Sequence, residues 1–373
     1  MIKKIFIFGA NLIYCFFKLL PTKKKITMIS RQSNKKTVDF MLLEKKIIEK
    51  SPEYKVVVLC KELKGGAKAN LKNKVGYAFH CVRQMYHIAT SKIVVLDSYC
   101  ILISVLKHKK NLKVIQMWHS MGTMKKFGYQ ILDKEEGSSS KIANSMKMHK
   151  NYTYVFASGK AYASLLEEGF NCGMDKIQIF SLPRVDLLTS KNYKEETRSK
   201  IEERYPEIKV KKNIVYCPTF RKNEEDFNKK VKEIIEKIDK EKYNLILKLH
   251  PLSKVEITEN NIINDKEFST MDMLMVADYV ISDYSCIIYE AAILEIPLYF
   301  YAFDLQKYLD TRGLTIDYQK ELPGVVSKTI DPIIDAIEKG EYNKEKLQDF
   351  REKYIENIEN TTEKIVDFIF SII

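Results

Sequence analysis

The chain has 373 residues, 45% hydrophobic and 30% charged, which is too long for one ordinary core, fits about two domains and excludes wholesale disorder. Lys and Arg number 62 against 49 Asp and Glu, and the resulting charge of +13 calls for an anionic partner: nucleic acid, phospholipid headgroups or a phosphorylated substrate. Seven scattered cysteines without a Cys-x-x-Cys pair argue against a disulfide framework or zinc site and read as reduced, mostly buried thiols.

Residues 5–20 are almost wholly apolar, with Lys3 and Lys4 before them and Lys23, Lys24 and Lys25 after. The run is shorter than the ~20 apolar residues of a spanning helix and contains Asn11 and Lys18. Pro21 and lysines follow it where a signal peptide would carry small residues. Residues 1–23 are therefore expected to lie in a membrane interface, their lysines meeting anionic lipid. A buried first element of the core is the alternative.

Beyond residue 24, short β-branched runs alternate with helical patterns, the signature of a parallel α/β fold. Strands are expected at 26–30, 55–60, 92–97, 113–118, 154–157 and 176–180, with helices at 39–50 and 77–90 among them. A charged stretch, 190–212, reads as a linker carrying a helix. The alternation then restarts with strands at 213–219, 244–249, 279–282 and 298–303 and helices at 227–239, 270–276 and 285–294. Residues 343–373 read as helix. The expected divisions are 24–189, 190–212, 213–345 and a C-terminal helix at 346–373. Two doubly wound halves would bind ligand beyond the carboxyl ends of their strands.

No Walker A sequence, Gly-x-Gly-x-x-Gly turn, nucleophile elbow or His-Glu-x-x-His motif is present, nor an RNA-reading aromatic motif. The six histidines include no i, i+4 pair with a nearby carboxylate, so no metal and no cofactor are expected. Nucleic acid is set aside as partner.

What remains are polar segments at strand ends. Trp118-His119 is followed by Gly122, Lys125 and Lys126. A histidine there suits proton removal at neutral pH, and the lysines suit a phosphate. A structural histidine with solvated lysines fits the spacing equally. In Lys248-Leu249-His250-Pro251, Lys248 and His250 share one side of a strand and would face one anion. Ser282, Asp283 and Ser285 lead into a helix carrying Glu290. The serine hydroxyls and free N–H groups suit a diphosphate, Asp283 a cap or a histidine partner, and Glu290 a ribose. Ordinary helix capping is the alternative. Arg221, after Tyr216-Cys217-Pro218-Thr219-Phe220, and Arg312, before Gly313, are either phosphate clamps or surface arginines.

Taken in order, these segments resemble the CDP-glycerol glycerophosphotransferase family, the primases and polymerases of teichoic acids. The resembling stretches are Trp118 to Gly128, Leu182-Pro183-Arg184-Val185-Asp186, Tyr216 to Arg221, Lys248 to Pro251, Ser282 to Cys286 with Glu290, Arg312-Gly313 and Pro323-Gly324. Two departures stand out: Ser120-Met121-Gly122 where many members have Gly-Thr-Pro, and Cys286 in place of a second serine. The long extra N-terminal domain of some polymerases is not part of this sequence, which leans towards single addition or a capsule role.

The resemblance implies a GT-B type α/β fold, two doubly wound Rossmann-like domains facing a cleft. It implies transfer of a polyol phosphate, glycerol phosphate first, from a CDP-activated donor to a lipid-linked teichoic acid or capsule acceptor, with CMP released. His119 would be the general base. His250, with Arg221 and Lys248, would stabilise the diphosphate or protonate the leaving phosphate. Ser282, Asp283, Ser285, Glu290 and Arg312 would hold the donor, and Lys125 and Lys126 would lie on the acceptor side. The expected location is the cytoplasmic face of the membrane, bound peripherally to an anionic surface. Two other readings share parts of this pattern: a GT-B glycosyltransferase using a nucleotide-sugar, and a non-catalytic protein binding anionic lipid.

Overall fold

The computed structural model describes residues 2–63, 65, 70–221, 224–250, 253–255, 257, 259 and 261–373, so Gly66 and Pro251 lie outside the described residues. The chain forms two compact units: Met1–Met121 with Phe127–Asp186 and Glu356–Ile373, and Gly122–Lys126 with Leu187–Ile355.

The first unit holds six parallel strands: β1 (Lys25–Ser30), β2 (Lys55–Cys60), β3 (Ile93–Leu96), β4 (Lys113–Gln116), β5 (Tyr154–Ala157) and β6 (Ile177–Ile179). Their order is β2-β1-β3-β4-β5-β6, with Ile26 paired to Val56 on one side and Ile93 on the other. β1, β3 and most of β4 are buried throughout because helices cover both faces of the sheet. The chain changes winding direction between β1 and β3, which makes their carboxyl ends the switch point where such sheets take ligands.

The second unit holds β7 (Lys212–Cys217), β8 (Tyr243–Leu247), β9 (Tyr279–Ser282), β10 (Leu298–Tyr301) and β11 (Val326–Ser327), in the order β11-β10-β9-β7-β8, again all parallel. Its switch point lies between β7 and β9. The segments after those two strands are Thr219–Arg221 and Asp283–Cys286.

Several boundaries differ from the sequence reading. Helix Lys191–Arg204, expected as a linker, packs inside the second unit, where Tyr193 donates to Asp272 at 2.5 Å. The tail is two helices rather than one. Lys344–Tyr354 stays with the second unit, and Thr361–Ser371 returns to the first. The return is fixed by Asp186, whose carboxylate accepts from the backbone N–H groups of Thr361 and Thr362 at 2.7 and 2.8 Å and so caps that helix from a distance.

The N-terminal helix, Ile2–Lys18, is amphipathic. Ala10 and Tyr14 are buried in the first unit's core, with Ile7 and Phe17 packed against it, while Ile5, Phe8, Leu12 and Phe16 are exposed. The helix thus joins the core by one face only. Cys15 is exposed on it, and of the seven cysteines only Cys100 and Cys217 are fully buried, so the expectation of mostly buried thiols is corrected. Lys25 is also buried: its ammonium is held by Thr90 and His87, and burial, with Lys23 and Lys55 nearby, pushes its pKa down to about 8. It is not one of the lysines available to lipid. Among the described residues, no helix is long and apolar enough to cross a membrane.

Candidate active site

In the first unit the site grows from the end of β4. The backbone turns left-handed at Trp118 (φ 63°), a conformation that costs about 1–3 kcal/mol for a bulky residue. The indole ring offsets that cost by packing against Phe170 and Phe127 at centroid separations of 5.0 and 5.8 Å. This turn sets His119 beside the switch point, its ring 4.4 Å from Trp118. His119 Nδ1 lies 2.9 Å from the Asp97 carbonyl oxygen, which requires an N–H there and leaves Nε2 with the lone pair. The Gln32 side-chain nitrogen lies 3.1 Å from the same Nδ1, but with the Nδ1 proton given to the Asp97 carbonyl two donors face each other there and make no hydrogen bond.

Arg184 lies alongside. Its guanidinium forms a bidentate pair with the buried Asp39 carboxylate, Nε at 3.0 Å and Nη2 at 2.5 Å from Oδ2, while Nη2 also lies 3.5 Å from the His119 carbonyl. Burial holds the His119 pKa below the ordinary histidine value; the Asp97 hydrogen bond and Asp39 oppose this, and Arg184 adds to it. At neutral pH His119 is therefore an unprotonated base. Burial likewise pushes the Asp97 carboxyl up to about 6, against the hydroxyls of Ser30 and Ser98.

The second unit gathers most of the remaining expected residues around the β7/β9 switch point, but in roles the sequence did not assign. Arg221 is 10% exposed and, among the described residues, uses four of its five N–H donors. It meets Asp304 through Nε at 2.6 Å and Nη2 at 3.1 Å, Asp283 through Nη2 at 2.8 Å, and the Thr219 carbonyl through Nη1 at 2.8 Å. The rings of Tyr284, Phe303 and Tyr308 surround its guanidinium at 5.2–5.5 Å. Burial works against its charge, yet Asp283 and Asp304 outweigh it and hold the pKa above the ordinary arginine value.

Asp283 also accepts from the N–H groups of Thr219 and Tyr284 at 2.8 and 2.5 Å, so it orders the loop and Arg221 rather than a histidine. Ser282 is fully buried and donates to the Cys217 carbonyl at 2.7 Å, which takes its hydroxyl out of reach of a donor. Ser285 is only partly buried, and its hydroxyl is a weak acceptor at 3.5 Å from the Ile287 N–H. Glu290 is buried in helix Ile287–Ile293.

Lys248 does not face an anion with His250. Its side chain is 7% exposed, and its ammonium bonds the Asp265 carbonyl, the Asp265 carboxylate and the Phe268 carbonyl at 2.9, 3.2 and 2.7 Å. β8 ends at Leu247, one residue before it, and the 265–268 loop takes its three donors. His250 itself is exposed, its ring 5.2 Å from Phe220; burial and then the Lys125 charge lower its pKa.

Lys125 and Lys126, expected on the acceptor side, belong to the second unit. The Lys125 ammonium lies 3.3 Å from Thr219 Oγ1, and Arg312 donates through Nε to the Lys126 carbonyl at 3.3 Å. Asp39, Asp97 and Asp304 were missed altogether. Asp97 and Asp304 follow β3 and β10 almost directly, the position that should have singled them out. Asp39 lies in a helix, where no sequence signal links it to Arg184.

The geometry is that of two polar switch points in tandem parallel-sheet units. The teichoic acid ribitol-phosphate primase of Bacillus spizizenii is 28% identical over 95% of this chain and 92% of its own length. The teichoic acid glycerol-phosphate primase of Bacillus subtilis is 25% identical over 100% and 98%. The wall teichoic acid polymerase TagF superposes with a TM-score of 0.76 at 18% identity, covering 99% of this chain and 95% of that one, which shows a GT-B fold. A sequence model described as CDP-glycerol:poly(glycerophosphate) glycerophosphotransferase matches residues 12–371, and the motifs at both switch points fall inside that span: the chain belongs to this family of glycerophosphotransferases.

Proposed function

We propose that this chain transfers a polyol phosphate, glycerol phosphate first, from a CDP-activated donor to a lipid-linked wall teichoic acid or capsule acceptor. The observation that carries the mechanism is His119, held as a neutral base with Nε2 unprotonated by the Asp97 carbonyl. Nε2 takes the proton of an acceptor hydroxyl. The resulting oxygen forms a bond to the phosphorus bearing the polyol, and the bond from that phosphorus to the bridging oxygen breaks. CMP leaves with that oxygen, and a new phosphodiester remains. Positioning and charge account for most of such a transfer. Ser285, Arg312 and His250 are the assigned contacts to the donor, Glu290 its ribose partner, and Arg221 and Asp283 the frame that holds the loop.

A peripheral membrane location, at the cytoplasmic face, is supported by an apolar surface larger than the N-terminal segment alone. Helix Leu71–Ala89 packs against helix Ile2–Lys18 and exposes Leu71, Val75, Phe79 and Val82 at spacings of four, four and three residues. Phe8 and Phe79 are 72% and 73% exposed, and Lys4, Lys23 and Lys24 are exposed near the same helix. Such a surface suits an anionic interface, where the lipid-linked acceptor resides.

The test is CMP release by purified protein given CDP-glycerol or CDP-ribitol with lipid-linked acceptor. Release from one donor, reduced about 10²–10⁴-fold in His119→Ala, supports the reading. Undiminished release in that variant removes His119 as the base. A nucleotide product accompanied by a glycosidic bond would favour the glycosyltransferase reading.

A further inference from the structure

We propose that Lys125 is the cation with which the second unit grips a phosphate of the donor, an inference that rests on the CDP-dependent reading above and moves this residue from the acceptor to the donor side. The segment Gly122–Lys126 is built into the second unit as a short strand-like clip. The Thr315 N–H donates to the Met124 carbonyl at 2.9 Å, and its hydroxyl to the Thr123 carbonyl at 2.8 Å. The Lys126 N–H donates to the Gly313 carbonyl at 3.2 Å, and Lys125 and Leu314 form an antiparallel bridge. Gly122 admits the clip because the Tyr289 ring occupies the place of any side chain: a Cβ there would stand 2.3 Å from the ring.

The clip brings the ammonium to the β7/β9 switch point, and its bonding sets it apart from the other two cations of the motifs there. Arg221 spends its donors on two carboxylates and a carbonyl, and Lys248 spends all three on the 265–268 loop. Lys125 has three N–H donors and, among the described residues, one hydrogen-bond acceptor, Thr219 Oγ1, with the Tyr308 ring at the 6.0 Å limit of a cation–π contact and no ion pair. Burial lowers its pKa, while Cys286 and Asp283 nearby work to keep it charged. A partly buried ammonium with two donors to spare costs free energy unless an anion completes it. A diphosphate, bound by lysine as a point charge, does so at the place where this sheet takes ligands.

The test is calorimetric titration of the full chain with CDP and with cytidine. Lys125→Met should weaken CDP by about 10- to 100-fold, the size of a lost charge-assisted hydrogen bond, and leave cytidine unchanged. Lys229→Met, at an exposed helix position, should leave both unchanged. If Lys125→Met also loses cytidine, the space-filling pair Lys125→Arg and Lys125→Gln decides. A gap of about tenfold in CDP affinity between them supports the charge role, and equal affinities overturn it. CDP affinity within about twofold of wild type in Lys125→Met, with only the acceptor KM raised, overturns the inference while leaving CDP-dependent transfer standing. Failure of the wild type to bind CDP would remove both.

Discussion

Replacing Arg221 by methionine separates a free phosphate clamp from an internal frame. The side chain is 10% exposed and its partners Asp283 and Asp304 are 1% and 18% exposed, so methionine leaves two shielded carboxylates without their counter-ion. Breaking a buried pair from one side costs about 3–5 kcal/mol, far more than the 0–1 kcal/mol of a surface pair. At about 2–4 °C per kcal/mol for a unit of this size, the second unit should melt roughly 6–20 °C lower. Urea unfolding followed by far-UV circular dichroism measures the loss, since its slope also reveals any change in compactness. Adding Asp283→Asn and Asp304→Asn to Arg221→Met should restore much of the stability, because the uncompensated charges go with the arginine. An unchanged midpoint in Arg221→Met, accompanied by a higher donor KM, would refute the frame argument and return Arg221 to direct phosphate contact.

Gly122→Ala forces a Cβ into the Tyr289 ring. It should cost about 1–3 kcal/mol by overpacking and raise the donor KM, both read from one set of melts and initial rates. The acid limb of kcat/KM reports His119, whose neutral form is the active one. Its lowered pKa places that limb below pH 6.5. Because Arg184 lowers and Asp39 raises that pKa, Arg184→Met should move the limb to higher pH, and a limb that stays put would show that the two do not sense each other. Phe8→Asp and Phe79→Asp should each reduce sedimentation with anionic vesicles by about tenfold or more, the cost of withholding one buried phenyl group. An effect of Phe8→Asp alone would confine the contact to the N-terminal helix.

Much of the sheet could be read directly. The runs at 154–157 and 279–282 match β5 and β9 residue for residue, since a strand covered on both faces must be continuously apolar; the run at 55–60 matches β2, an edge strand only alternately buried, through its three consecutive valines. The two-residue β11 carried no such signal: it completes an edge through Val326 and Ser327 alone. The N-terminal helix was legible as apolar, but not the stripe on helix Leu71–Ala89 that extends its surface. A stripe at three- and four-residue spacing looks the same whether it meets a core or faces outward.

The sequence by itself determined the fold class, the family and which polar residues follow which strands, because these depend on local pattern and chain order. Which charges are available for chemistry was decided only by the tertiary structure. Arg221, Lys248 and Lys125 look alike in one dimension, as cations near strand ends. In three dimensions the first is cancelled by Asp283 and Asp304, the second by Asp265, and the third retains donors for an anion. The partners of the first lie 62 and 83 residues away, and that of the second 17. Ion pairing depends on distance through space, and sequence separation does not encode it.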